Sequence, residues 1–336
     1  MALSVLYGCD DNYAPYTGIS MTSLLVNNKD INDLTIYLAA MDVSELNIHK
    51  FKIVANRYKR RLVVLDTHEA IIRMNRYNCG TWNGSIATWL RFFILYQIPK
   101  DVDRLVWIDS DTIIGKGLNG IEDIDLEDKE VAAVCDCLSY KLRYLLGFKE
   151  NEPYYNAGLM VFNMKKWRDS NVLNHMMLHL RKNIYKYKTN DQDLLNDYFR
   201  GRIVKLPPQY NVQCFLYAYK TKDYFSVYRW SDKAYYTLED IEKAKNNPVV
   251  IHFFRFLGDY PWAGGLNLHP AKQIFLKWKY KSLWNDYPTV KPLNNLLFWV
   301  EKALFIILPR SAFLRIFEWF TSLHFTKKTK KGDHVV

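Results

Sequence analysis

The chain has 336 residues, 49% of them hydrophobic and 15% aromatic, which excludes a disordered chain and allows one large α/β domain with or without a small appendage. Its formal net charge of +11 calls for a partner that is anionic somewhere, but no basic recognition helix or RNA-binding signature appears, so no nucleic acid is expected among its partners. Cys9, Cys79, Cys135, Cys137 and Cys214 are scattered and odd in number, which excludes a disulfide framework or a zinc motif and fits a reducing compartment.

The start, Met1–Tyr7, lacks the basic region and long apolar core of a signal peptide and reads as a strand. Ser4–Gly8 is that strand, followed by the polar Cys9-Asp10-Asp11-Asn12, then a helix over Tyr16–Val26. Leu34–Ala40 alternates as a strand, Ser44 can cap a helix through Ile48, Phe51 and Val54, and Arg61–Leu65 is strand-like again. Ser85–Ile98 has helical spacing and precedes an apolar strand, Arg104–Ile108, which ends in Asp109-Ser110-Asp111. Farther on come strands at Glu130–Cys135, Gly158–Asn163 and Pro248–Phe253, with helices at Lys166–Lys182 and Asp191–Phe199. Repeated β-α-β units predict a mostly parallel sheet flanked by helices, with ligands bound outside the carboxyl ends of its strands.

Asp109 and Asp111 stand at such an end. Two carboxylates on one side of an extended chain repel each other unless a cation lies between them. Hard oxygen donors suit Mn²⁺ or Mg²⁺, which can bridge to a diphosphate and stabilise the charge on a departing nucleoside diphosphate. His175 and His179 have the spacing of a zinc-protease helix but lack its catalytic glutamate, so a structural helix is expected there.

Several motifs in order resemble glycosyltransferase family 8, retaining enzymes of the GT-A fold, and in particular the bacterial lipopolysaccharide and lipooligosaccharide core galactosyl- and glucosyltransferases. The resemblance covers roughly residues 4–290. In Gly8-Cys9-Asp10-Asp11-Asn12-Tyr13 it implies that Asp10 faces uracil, Tyr13 stacks on it and Asn12 lies near the ribose. In Ser85-Ile86-Ala87-Thr88-Trp89-Leu90-Arg91 it implies that Arg91 reaches the donor diphosphate and sugar. Asp109-Ser110-Asp111 matches the family's metal and donor signature, and Asp136 a carboxylate of the sugar pocket. Asn156, Ala157 and Gly158 look like a loop touching the transferred sugar. In Asn190-Asp191-Gln192-Asp193, Asp191 would bind sugar hydroxyls and Gln192 would sit beside the anomeric carbon. His252 looks like the third metal ligand, beside Asp109 and Asp111, and Gly258 belongs to the donor loop that follows. Here the chain departs from the family's His-x-x-Gly-x-x-Lys-Pro-Trp: Gly258 comes six residues after His252 and Tyr260 stands in the lysine's place. Arg255 is the nearest basic residue.

The resemblance therefore implies a GT-A catalytic domain over 1–268 and a helical, basic and aromatic extension over 269–336. From Lys291 onward there are eight Lys/Arg against three Asp/Glu. No apolar run there is long enough to span a membrane, so the extension is expected to lie on an anionic membrane surface, separable from catalysis. The activity implied is transfer of galactose or glucose from a UDP-sugar to a glycan or glycolipid acceptor, with Mn²⁺ or Mg²⁺ as cofactor. The expected location is the cytoplasmic face of the inner membrane. A protein or teichoic-type acceptor, and a catalytically silent UDP-sugar-binding partner, are the alternatives.

Overall fold

The computed structural model describes residues 2–82, 84–293 and 295–331, with side chains described as far as residue 323. The chain divides into two compact units, residues 1–134 with 155–206, and residues 135–154 with 207 onward.

In chain order the elements up to residue 206 are β1 (Ala2–Asp10), α1 (Ala14–Asn27), β2 (Asp33–Met41), α2 (Glu45–Arg57), β3 (Arg61–Leu65), α3 (His68–Arg76), α4 (Leu90–Phe93), β4 (Arg104–Ile108), β5 (Thr112–Ile114), β6 (Val131–Cys135), α5 (Tyr140–Leu145), β7 (Tyr155–Asn163), α6 (Met164–Asp169), α7 (Val172–Asn183), α8 (Asp191–Tyr198) and β8 (Ile203–Lys205). All but α5 build the first unit, whose sheet runs β3-β2-β1-β4-β7-β6-β8. β1 pairs in parallel with β2 and β4, β2 with β3, and β6 with β8; β4 and β7 are antiparallel. Apolar runs such as Val131–Cys135 are buried at every position, as strands covered on both faces require.

Because β1 and β4 run side by side in the same direction, the Asp10–Asn12 loop and the Asp109–Asp111 turn leave the sheet at the same edge. Ser110 ties them together. Its buried hydroxyl donates to Gly8 O at 3.2 Å and accepts from Thr17 Oγ1 at 2.7 Å.

Two expected helices are interrupted. Ser85–Ile98 folds into short 3₁₀ turns around α4, because Trp89, Leu90, Phe92, Phe93, Ile94 and Leu95 are all buried and leave no polar face. Lys166–Lys182 breaks into α6 and α7 at Asn171, whose φ of +47° is a left-handed position that asparagine tolerates.

The second unit adds β9 (Val212–Gln213), α9 (Thr221–Tyr228), α10 (Leu238–Asn246), β10 (Val250–His252), α11 (Lys272–Lys281), α12 (Leu296–Ile307) and α13 (Arg310–Lys331). β9 and β10 are parallel, with His252 opposite Gln213. The helices after residue 269 are built into this unit: Lys302, Phe305, Phe313 and Leu314 are buried, and Glu318 accepts from Ser139 and pairs with Lys141 on α5. The extension is therefore packed against upstream residues and not simply appended to them.

Gly8 shows how closely the site edge is packed. A Cβ there would lie 2.7 Å from Trp107 Cη2 and 3.3 Å from Leu90 Cβ. Gly8→Ala is expected to lower the free energy of unfolding by about 1–3 kcal/mol through overpacking, read by urea denaturation. An unchanged midpoint would show that Trp107 can move aside.

Candidate donor site and metal ligands

In the first unit, three of the sequence-predicted residues, Asp109, Ala157 and Asp191, meet at the Arg91 guanidinium. Arg91, 3% exposed, donates from Nη2 to Asp109 Oδ1 at 2.9 Å, from Nε to Thr88 O at 2.8 Å, and from Nη1 to Ala157 O. Its Nε also lies 2.9 Å from Asp191 Oδ2. The group sits over the Trp107 ring, 5.0 Å from its centroid, and the Trp107 Nε1–H donates to the same Asp109 Oδ1 at 2.7 Å. The Trp107 indole reaches the Asp109 carboxylate because residues two apart along a strand face the same side. The Asp109 carboxylate is thus fixed by two donors.

Asp109-Ser110-Asp111 is a turn between β4 and β5, not the extended stretch expected, and Ser110 is its inward-facing member. Asn156, Ala157 and Gly158 lie within β7 and not in a loop; Gly158 O accepts from Asp109 N at 2.8 Å, so β7 continues pairing beside the acidic turn. Gln192 Oε1 accepts from Asn156 Nδ2 at 3.0 Å and from Ala157 N at 3.1 Å. Asn156 Oδ1 in turn accepts from Gly158 N. Asp10 Oδ1 accepts from Tyr13 N at 3.0 Å, shaping the turn into α1, and Tyr13 packs edge-on against Tyr16. Asn12 is exposed. Asp11 caps the approach to α2 through Ser44 N and Asn47 Nδ2, both at 2.8 Å. Asp193 closes the turn before α8 through Thr189 N and Oγ1, and His179 is paired with Asp197.

In the second unit, His252 is buried and its Nδ1 lies 3.1 Å from Asn211 Oδ1. The tautomer that donates from Nδ1 presents Nε2 as the acceptor, the usual preparation of a metal-binding imidazole. Asp136 is buried between two residues tied to Gln213, whose Oε1 accepts from Cys137 N and whose Nε2 donates to Cys135 O. Neither Asn211 nor Trp107 was singled out as a site residue from sequence. Trp107 carried a usable signal, its position two residues before Asp109; Asn211, far from His252 along the chain, carried none.

A family model described as glycosyl transferase family 8 matches residues 4–263. The chain belongs to glycosyltransferase family 8. A relative named lipopolysaccharide 1,2-glucosyltransferase, from Escherichia coli strain K12, is 29% identical over 227 residues, covering 62% of this chain and 62% of that protein. The chain thus spans less than two thirds of that relative's length. The lipopolysaccharide 1,3-galactosyltransferase of Salmonella typhimurium is 22% identical over 316 residues, covering 90% of this chain and 91% of the relative. Among solved structures, galactosyltransferase LgtC crystallised with donor and acceptor sugar analogues has a TM-score of 0.65 at 20% identity, covering 84% of this chain and 96% of that one. That likeness places the family 8 chain in the GT-A type of fold.

Burial raises the Asp191 carboxyl to about 6; Arg91 opposes the rise and Asp109 adds to it. A carboxyl that holds its proton more tightly when folded supports the folded state below its unfolded pKa, near 4, and loses that support as pH climbs through 6. In the metal-free protein, wild type should therefore lose stability relative to Asp191→Asn between pH 4 and 6, with no further change above. Urea unfolding across that range tests it; a parallel pH course for the two proteins would refute it.

Proposed function

We propose that this family 8 chain is a retaining, metal-dependent hexosyltransferase that moves galactose or glucose from a UDP-sugar to a lipopolysaccharide or another cell-surface glycan. The observation that carries this reading is the acidic Asp109–Asp111 turn at the end of β4, with Asp109 held by Arg91 and Trp107. Asp109, Asp111 and His252 each offer one ligand atom, a set that could hold a metal ion. Two carboxylates and an imidazole suit Mn²⁺ well and Mg²⁺ less well. The bound ion would stabilise negative charge on the departing UDP.

In the same reading Asp10, Asn12 and Tyr13 hold the uridine. Asn156, Ala157, Gly158, Asp136 and Asp191 surround the transferred sugar, and Arg91 acts on the donor mainly by orienting Asp109 and Asp191. Arg255 takes over phosphate binding from the family lysine, as it is exposed and sits over the Tyr260 ring at 5.2 Å. Gln192 stands beside the anomeric carbon. Its amide oxygen already accepts two hydrogen bonds, which argues against its use as a nucleophile and for a front-face route. There, the bond from anomeric carbon to phosphate oxygen breaks, the acceptor hydroxyl attacks from the same side, and its proton passes to the leaving phosphate oxygen. Asp111→Asn is expected to abolish most Mn²⁺-supported UDP-sugar hydrolysis while leaving the fold intact. Full activity of that variant, retained in EDTA, would overturn the metal assignment, and UDP binding without turnover by the unaltered protein would favour a silent binding partner.

In the same reading the chain works at the cytoplasmic face of an inner membrane. Among the described residues no helix is long and apolar enough to cross a membrane. Leu296, Leu297, Trp299 and Ile307 on α12 and Trp319 and Phe320 on α13 are exposed, a surface suited to an anionic lipid interface. The basic side chains of Lys327, Lys328, Lys330 and Lys331 lie outside the described residues. Changing Trp319 and Phe320 together to Ser should weaken binding to anionic vesicles by roughly tenfold or more, with transfer to a small soluble acceptor retained. Binding should also fall as salt is raised. Vesicle affinity indifferent to both changes would defeat the membrane assignment.

A further inference from the structure

We propose that α12 braces the loop after His252, with Lys302 as a positioning residue for the donor-phosphate side of the site. This rests on the functional reading above, in which that loop carries Arg255 and Gly258. After β10 the chain makes a tight hairpin: Phe256 N donates to Asp259 O at 2.7 Å and Asp259 N to Phe256 O at 3.0 Å. The two central residues, Leu257 and Gly258, have φ of +49° and +83°. Two positive φ values define a type I′ turn, and leucine is a poor occupant of the first. A turn with that bias against it needs outside support.

The support comes from one face of α12. Phe298 covers Gly258 so closely that a Cβ would lie 2.5 Å from the Phe298 Cγ. Lys302 Nζ lies 2.6 Å from Asp259 Oδ2, with the two side chains only 4% and 1% exposed. Phe305 meets Phe256 edge-to-face with ring centroids 5.3 Å apart. Positions 298, 302 and 305 lie at i, i+4 and i+7, a single helical stripe. Three successive positions of that stripe therefore engage three of the four turn residues.

Immediately flanking the turn, exposed Arg255 sits over Tyr260, which stacks on Trp262 with centroids 4.6 Å apart and planes 5° off parallel. The brace thus sets where the one exposed cation of this loop is held. Lys302 is committed to Asp259 and does not replace the missing family lysine itself. An ion pair this deeply buried gains little net stability over apolar partners, so its use is geometric: it admits one register of helix against turn.

The test uses the full chain with Lys302→Met and the double change Lys302→Met with Asp259→Asn. The single variant strands a buried carboxylate and should lower Tm. The double variant removes the stranded charge and should recover Tm, yet the link from helix to turn is still missing. Positioning predicts that the double variant keeps a UDP-sugar KM raised roughly tenfold to a hundredfold, with a matching loss of UDP affinity in Mn²⁺ by calorimetry. A double variant with wild-type KM would overturn the proposal and leave the pair a structural feature only. Amide exchange at Phe256 and Asp259 separates the brace from the donor role. Faster exchange in the double variant of a chain that shows no UDP binding would sink the functional reading and keep the brace; unchanged exchange would sink the brace.

Discussion

The donor face of the first unit depends on a buried positive charge. Arg91 arrives from α4, a single turn enclosed by aromatic and aliphatic side chains, and meets the end of β4, the interior of β7 and the start of α8. A guanidinium suits this place because its planar fork can bond several acceptors at once, which a lysine cannot. Asp109 and Asp191 are both held near it, and without it their mutual repulsion in a poorly hydrated setting would drive them apart. Trp107 beneath the guanidinium and Gly8 beneath Trp107 extend the constraint to β1, so a small residue on the first strand and an acidic turn on the fourth belong to one packing arrangement.

Several polar groups at the site are held by backbone. Ser110 bonds the end of β1, Gln192 caps an amide of β7, and Asp193 closes the turn before α8. Such contacts make the placement of functional side chains a property of the strands and helix starts beneath them. This is what a charged donor requires, since electrostatic stabilisation works best when the groups need not reorganise during the reaction.

Much of this was legible in the sequence because strands and their polar ends are local signals. The runs at Ser4–Gly8, Arg104–Ile108 and Glu130–Cys135 all fall within or across observed strands, and the ordered motifs identified the family before any coordinates did. What escaped was tertiary in origin. The apolar stretch Ser85–Ile98 has helical spacing, yet burial on all sides replaced a regular helix with short turns. The family resemblance implies a loop at Asn156–Gly158, but pairing with the β4 edge draws these residues into a strand. The resemblance implies that Arg91 reaches the donor, but nothing local announces its protein partners Asp109, Ala157 and Asp191. The partners of His252, Asp259 and Gly258 are Asn211, Lys302 and Phe298, and no local pattern could announce pairings so distant along the chain.

The contact of α12 with the Phe256–Asp259 turn also carries a consequence for how such chains diverge. A lineage that lost Lys302 alone would leave an acid stranded in the interior, so positions 259 and 302 are bound to change together or not at all. Position 258 is tied to 298 in the same way, since a side chain larger than glycine's could enter only where the facing ring had become smaller. Drift in α12 is therefore limited on its inner stripe by residues of the Phe256–Asp259 turn, while its outer face remains open to change with whatever surface the protein meets.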